Sequence, residues 1–508
     1  MLVKVLSASN SGLEAIGIDV EVNVANRGLP AFEIVGLPNK AVDESKERVR
    51  TAIINSNIQF PSKRIVVNLA PGDVPKEGSF YDFPIAVGIL ASVIQFDIPK
   101  DSLFFGELSL DGTLRHTKGA LLLALFAKEK GIKNIFVPKT SANEAAVVKG
   151  INVYPIENLN NLLAYLLNEI IIQPIKFKEV GGEESNVKAE FDMAEILGQE
   201  QAKRVVEISA AGGHNLFMSG SPGSGKTMLA RALQGILPGL IGGEQLEVTK
   251  IYSAAGRIPP EGSIIRRRPF RSPHHTTSHI GLIGGGTRPQ PGEVSLAHRG
   301  ILFLDEFNEF PRSVLEALRQ PLEDGQVLIS RSRERVRYPC KFMLIASANP
   351  CPCGYLNHAK RPCVCSQREV EKYRKRISGP MLDRIDLHVD VPAVDIKELS
   401  NHQQTEINSE TSQQIKKRVI LARKIQQVRF QKDNIYSNSE MKNVHIKKYC
   451  KLSKEVKQLL YQAGITFQLS ARSYFKMIKV SRTIADLEGL DEISLTHMAE
   501  VLQYRPKI

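Results

Sequence analysis

Apolar residues gather in short unbroken runs through the middle of the chain: Leu216-Phe217-Met218, Ile301-Leu302-Phe303-Leu304 and Phe342-Met343-Leu344-Ile345-Ala346-Ser347-Ala348. The second and third lack the alternation of a half-exposed strand and predict strands buried on both faces, as in a parallel sheet covered by helices. Nearer the start, Ile65-Val66-Val67-Asn68-Leu69 and Leu108-Ser109-Leu110 predict strands and Ala120 to Lys130 an amphipathic helix, giving an α+β unit over residues 1–168. Pro174 to Ala189 is rich in Lys, Glu and Gly and predicts a linker within 169–190. An α/β module is expected over 191–394, and the basic, helical pattern after Asp395 predicts an all-α lid over 395–508. The longest nearly apolar run, Phe83 to Phe96, is interrupted by Pro84 and Gly88 and falls short of the roughly 18 residues a membrane-spanning helix needs. Met1 to Val20 has no continuous apolar block followed by a small-residue cleavage site, so a cytoplasmic protein is expected.

The first apolar run leads into Gly220-Ser221-Pro222-Gly223-Ser224-Gly225-Lys226-Thr227, and the helix-forming Met228-Leu229-Ala230-Arg231-Ala232-Leu233 follows. This is the order strand, glycine-rich loop, helix that a triphosphate needs. The glycines let backbone N–H groups close on phosphate oxygens, and the helix directs its positive end at them. In this pattern Lys226 reaches the β/γ-phosphates and the Thr227 hydroxyl holds Mg²⁺. The second run ends in Asp305-Glu306, where a parallel sheet opens its ligand crevice; Asp305 is expected to hold Mg²⁺ and Glu306 to orient and deprotonate water.

Charge and cysteines add two further expectations. The chain has 67 Lys and Arg against 54 Asp and Glu, a formal net charge of +13, which favours polyanionic partners. Basic clusters lie between the two phosphate-site motifs and in a hairpin candidate, Val327 to Arg337. Arg266, Arg267, Arg268, Arg333 and Arg335 are the candidate contacts to DNA phosphates; solvated surface charge, or salt bridges between subunits, is the alternative. Cys351-Pro352-Cys353 and Cys363-Val364-Cys365 present four thiols around a short polar loop. Such a set suits a structural Zn²⁺ in a reducing compartment, against free thiols or redox pairing. The adjacent His274 and His275 are a poor metal pair.

The ordered series of motifs resembles the AAA+ ATPases. Asn349, closing the third run, resembles the sensor-1 residue; Arg384, in Leu382-Asp383-Arg384-Ile385-Asp386, resembles the arginine finger that enters a neighbouring subunit's site; Arg472, in Ser470-Ala471-Arg472, resembles sensor 2. Across its length the chain is identified as resembling the ComM/YifB family of magnesium-chelatase-like AAA+ ATPases. The match is carried by Asn68-Leu69-Ala70-Pro71-Gly72-Asp73, Pro269-Phe270-Arg271-Ser272-Pro273-His274-His275, Ile345 to Cys353 and Ser378 to Asp386. The resemblance implies an ATP- and Mg²⁺-dependent homo-hexameric ring that moves junctions in single-stranded and branched DNA during recombination and transformation, with a recombinase as possible partner. A magnesium-chelatase motor subunit is the second reading; a scaffold that binds nucleotide without hydrolysing it sits poorly with Glu306. The first unit resembles the Lon-type protease domain, but Phe80 and Leu121 stand where that family has its serine and lysine, so no peptidase is expected.

Overall fold

The computed structural model describes residues 2–25, 29–74, 76, 78–177, 190–259, 262, 264–286, 289–330, 335–356, 358, 360–393, 410–433 and 435–506. Most of the expected linker and the expected boundary at Asp395 therefore lie outside the described residues. At the start, β1 (Leu2–Ser11), β2 (Glu14–Val24), β3 (Ala31–Val35) and β4 (Arg64–Ala70) form a four-stranded sheet in the order β1-β2-β4-β3. Ile18, Val20, Val22 and Val24 of β2 are buried at every second position, the period that turns one face of a strand inward. The interrupted apolar run is helix α1 (Asp82–Ile94), buried from Asp82 to Ala91, as befits a helix apolar all round. A Cβ on its Gly88 would stand 2.5 Å from Val22 Cγ2, so only glycine lets α1 seat this close to the sheet.

Beyond α1, β5 (Ser102–Phe104), α2 (Ala120–Glu129), β6 (Asn134–Pro138) and β7 (Asn152–Ile156) complete the unit, the three strands pairing in parallel. Two expectations change here. The strand expected at Leu108–Leu110 shrinks to Glu107–Leu108, because Asp111-Gly112 turns the chain: Gly112 N donates to Ser109 O (3.0 Å) and Thr113 N to the Asp111 carboxylate (3.0 Å). Helix α2 is not amphipathic, for its residues from Ala120 to Ala124 are all buried.

The second unit is built on five parallel strands: β8 (Leu216–Gly220), β9 (Phe270–Arg271), β10 (Ile301–Leu304), β13 (Met343–Ala348) and β14 (Leu387–Val391), in the order β9-β10-β13-β8-β14. A hairpin, β11 (Gln326–Ser330) with β12 (Arg335–Pro339), stands between β10 and β13 in the chain. The helices α3 (Lys226–Ile236) and α4 (Gly242–Ala254) follow β8, and α5 (Arg319–Asp324) precedes the hairpin. Ile301 to Leu304 and Met343 to Ala348 are buried throughout, matching the unbroken runs. The closing helices α6 (Ser412–Arg429), α7 (Lys454–Thr466), α8 (Ala471–Leu487) and α9 (Leu495–Gln503) share one apolar core with β8 and α3: Ile415, Val419, Val480 and Ile484 pack in the same cluster as Leu216, Leu229 and Leu233.

The two units touch at named points. A Cβ on Gly12, in the β1–β2 turn, would lie 2.4 Å from Val336 Cγ1 of β12, and Leu13 packs in the same cluster as Val336. Glu144 accepts from Leu121 N (2.9 Å) and from Ser253 Oγ of α4 (2.5 Å); burial pushes this carboxyl above its ordinary range.

Candidate functional site

Because the five strands are parallel, everything that follows their last residues gathers along one edge of the sheet. The loop 220–227 follows β8, Asp305 and Glu306 follow β10, and Asn349 follows β13, which lies between β8 and β10. Gly223 and Gly225 have φ of +77° and +92°, values that let the loop curl its N–H groups inward. A Cβ on Gly220 would meet Val391 O at 2.3 Å. Lys226 is buried and its Nζ donates to the carbonyls of Gly220 (2.8 Å) and Ser221 (2.9 Å). Burial holds its ammonium below the ordinary lysine range, while Asp305 opposes that shift.

Asp305 is the hub of this edge. Thr227 Oγ1 donates to its Oδ2 (2.9 Å); Ser347 Oγ and the Glu306 N–H (3.0 Å) donate to its Oδ1. Two neighbouring oxygens from a hydroxyl and a carboxylate fit a hard cation such as Mg²⁺, which takes one or two protein oxygens and keeps water or phosphate on its other positions. Glu306 has φ +52°, a left-handed conformation that costs a non-glycine residue on the order of 1–3 kcal/mol and is retained mostly at functional sites. Its Oε2 lies 3.2 Å from His275 Nδ1, and the His275 ring packs against that of His274, tilted by 34° with centroids 4.1 Å apart.

Arg384 and Arg472 are at the other edge. Asp386 N and Leu387 N both donate to Asn215 O (3.1 and 3.0 Å), and Asn215 Nδ2 donates to Arg384 O (3.2 Å). Asn215 immediately precedes β8, so Arg384 stands where β8 begins and the phosphate loop stands where it ends. Five residues at about 3.3 Å each put roughly 16 Å of strand between them. Arg384 Nη2 pairs with Glu323 Oε1 of α5 (2.9 Å) and Nη1 donates to Pro380 O (2.6 Å). Its Nε is buried with no hydrogen-bond partner among the described residues. Arg472, in the first turn of α8, pairs with the same Glu323 Oε1. Asp383 fixes that helix end by accepting from Ser470 Oγ (3.0 Å) and Ser473 Oγ (2.8 Å). The structure therefore brings Arg384 and Arg472 together and separates both from the phosphate loop of their own chain.

The four cysteines converge. Cys351, Cys353 and Cys363 have mutual Sγ separations of 3.4, 3.7 and 3.5 Å, Cys353 N donates to Cys365 Sγ (3.4 Å), and all four sulfurs lie within 4.8 Å of one another. Tetrahedral coordination with metal–sulfur bonds of about 2.3 Å gives S···S edges of about 3.8 Å, so the residues present fit a single ion.

The basic candidates divide. Arg268 turns inward: its guanidinium holds Glu244 through two contacts (2.7 and 3.1 Å) and donates to Pro238 O (2.8 Å) and Arg299 O (2.7 Å). That corrects its assignment to DNA, since these contacts leave its donors committed within the chain. Arg266 and Arg267 are exposed. Arg335 is exposed on β12, on one face with Arg337 and Leu328, while Val336 and Tyr338 point inward. Arg333 lies outside the described residues. In the first unit, Ser79 Oγ donates to Glu107, Leu121 is fully buried, and the Lys118 side chain packs over Gly256.

Three residues were missed from sequence. Ser347 is visible as the one hydroxyl in an apolar run; His275 is read as a poor metal ligand and as part of the family motif, not as a partner of Glu306; Glu323 gives no signal, because its role depends on α5 meeting two arginines 61 and 149 positions later in the chain.

Comparison with known proteins agrees along the length of the chain. Residues 192–399 match the model for magnesium chelatase subunit ChlI, 20–141 a second ChlI model and 409–505 the ChlI C-terminal model. Competence protein ComM of Haemophilus influenzae is 41% identical over 512 residues, spanning 99% of this chain and 97% of that protein. Uncharacterized protein YifB of Salmonella typhimurium is 41% identical over 498 residues, spanning 97% and 95%. The magnesium-chelatase 38 kDa subunit of Cereibacter sphaeroides is more distant, at 27% over 183 residues, covering 32% of this chain and 54% of that one. With 41% identity over nearly the whole length of both, and with all three chelatase-type models matched in order, the chain belongs to the ComM/YifB family of magnesium-chelatase-like proteins.

Proposed function

We propose that the chain is an ATP-driven motor of the AAA+ class that works on branched DNA in recombination and natural transformation, in the cytoplasm, as a closed ring of six copies. The observation that carries this reading is the convergence of Lys226, Thr227, Asp305, Glu306 and Asn349 on one sheet edge while Arg384 and Arg472 occupy the other. The loop from Gly220 to Thr227 would hold the phosphates, with Lys226 exchanging its two carbonyl partners for β/γ-oxygens. Thr227 and Asp305 would hold Mg²⁺, which when bound neutralises charge on those oxygens. Glu306 would accept a proton from the water that attacks the γ-phosphorus, the bond to the bridging oxygen breaking to give ADP and phosphate. Asn349 would help position that water. Arg384 and Arg472 would complete a neighbour's site, so the released energy is coupled to relative motion of subunits. The name of the Haemophilus relative supports a role in competence, and the net charge of +13 with exposed Arg266, Arg267 and Arg335 supports a phosphate-tracking surface. In this reading residues 1–168 serve assembly or DNA contact, 191–394 the motor and 395–508 its lid, with one structural Zn²⁺ on the cysteines.

A magnesium-chelatase motor is the second reading, favoured by the descriptions of the three matching models. Hydrolysis measured with and without a synthetic four-way junction, alongside strand exchange on that junction, separates the two. Stimulated hydrolysis with junction movement supports the DNA motor; hydrolysis indifferent to DNA, with no strand exchange, contradicts it.

A further inference from the structure

We propose that the cysteine knot is a metal-dependent brace of the catalytic edge: the bound ion fixes the turn from Cys351 to Gly354 against the phosphate loop, so metal occupancy sets the rate of nucleotide turnover. This rests on the ATPase reading above and goes beyond a merely structural zinc. Cys351 lies two residues after Asn349. Gly354 N donates to Cys351 O (3.0 Å), closing a tight turn in which Gly354 has φ +81°. A Cβ on Gly354 would stand 2.6 Å from Cδ and 2.7 Å from Cγ of Pro222, inside the phosphate loop, and 3.9 Å from Asn349 Cγ. One turn, knotted by the sulfurs at its start, thus touches both a phosphate-loop residue and the residue expected to position water. Cys351 is fully buried while the other three are partly exposed, so the knot is anchored on the side facing the sheet.

Four sulfur donors, at separations near the edge of one tetrahedron, select the ligand class. They suit one tetrahedral thiophilic divalent ion, Zn²⁺ above all, rather than a hard cation such as Mg²⁺. Without an ion no bond ties the four sulfurs to one centre, and the turn that carries Gly354 loses its anchor. A displacement of about 1 Å at catalytic groups costs on the order of 100-fold in rate.

The test uses the full chain purified without a metal-affinity tag. Elemental analysis is expected to find one zinc per chain. A mercurial thiol reagent with a chromophoric chelator should release it, and thiol repair with added Co²⁺ should give the intense thiolate-to-cobalt absorption of a tetrahedral site. Release should lower kcat for ATP by 10- to 100-fold, with the far-ultraviolet circular dichroism unchanged, and Zn²⁺ should restore it. Gly354→Ala, which keeps every sulfur, should retain zinc yet lose turnover, and it keeps the proposal testable if cysteine variants fail to fold. Zinc at full occupancy with unchanged turnover on both metal release and Gly354→Ala would overturn the brace while leaving the zinc in place. Absence of zinc, or iron in its stead, would overturn both. Failure of the ATPase reading shows separately, as zinc-loaded protein that hydrolyses no ATP.

Discussion

The two edges of the parallel sheet are organised in opposite ways. At the edge where the strands end, polar groups point at one another across a small space: Lys226 donates to loop carbonyls, and Asp305 collects Thr227, Ser347 and the Glu306 N–H. These are short-range contacts of the kind a phosphate and a cation can replace one for one. At the edge where the strands begin, two arginines from distant parts of the chain share a single carboxylate, Glu323, and one buried guanidinium nitrogen has no partner among the described residues. One edge is built to receive anionic charge and the other to deliver cationic charge, and the strands between are too long for one chain to do both at the same place. In the proposed reading the working unit is therefore an interface, with each copy offering its strand-end edge to one neighbour and its strand-start edge to another.

The largest effects should come from breaking the receiving edge. Lys226→Ala is expected to abolish nucleotide binding, whereas Glu306→Gln should bind ATP normally and lose turnover, because in the proposed mechanism Glu306 acts on water alone. Equilibrium binding of a fluorescent ATP analogue with steady-state hydrolysis checks both; normal turnover in Glu306→Gln removes Glu306 as the base. Breaking the delivering edge comes next. Arg384→Ala is expected to slow hydrolysis by roughly 10³-fold or more, with nucleotide affinity little changed, since the residue does not line its own chain's phosphate loop.

Arg268 sharpens the comparison from the side of stability. Glu244 is buried, and Arg268→Ala would leave its carboxylate, held by the Ile241 N–H (3.2 Å), without its ion-pair partner, at a cost of about 3–5 kcal/mol. Denaturant unfolding should show that loss, and DNA affinity per folded molecule should be unchanged. The smallest effect is expected from Arg335→Ser combined with Arg337→Ser on the exposed face of the hairpin. DNA binding should weaken and the log–log salt dependence should flatten by roughly 1.4–1.8, two phosphates' worth, with basal hydrolysis intact. If assembly fails instead while DNA affinity per assembled particle holds, the hairpin is a contact between subunits.

How much of this was legible before the fold follows from the range of each interaction. The phosphate loop and Asp305-Glu306 could be read because each is one continuous motif attached to one strand, and parallel pairing then brings their ends together. Arg384 and Arg472 could be singled out by motif, but not their common edge, which depends on Asn215 pinning the start of β14 beside β8 and on α8 docking over Asp383. Arg268 shows the converse: three successive arginines look alike in sequence, yet the third turns inward because Glu244 of α4 and two loop carbonyls wait there. The cysteine spacing predicted convergence and left the contact between Gly354 and Pro222 unseen, since a glycine's packing neighbours leave no mark in its own sequence.

The central claim, that a complete site needs one edge from each of two chains, is tested most directly by mixing two inactive variants. Lys226→Ala lacks the receiving edge and keeps Arg384 and Arg472; Arg384→Ala keeps the receiving edge and lacks its finger. Allowed to exchange subunits, the pair should regain a substantial fraction of ATP hydrolysis, because some interfaces then combine an intact phosphate loop with an intact arginine. A mixture that stays inactive while subunit exchange is demonstrated by fluorescence energy transfer between labelled copies would contradict the account.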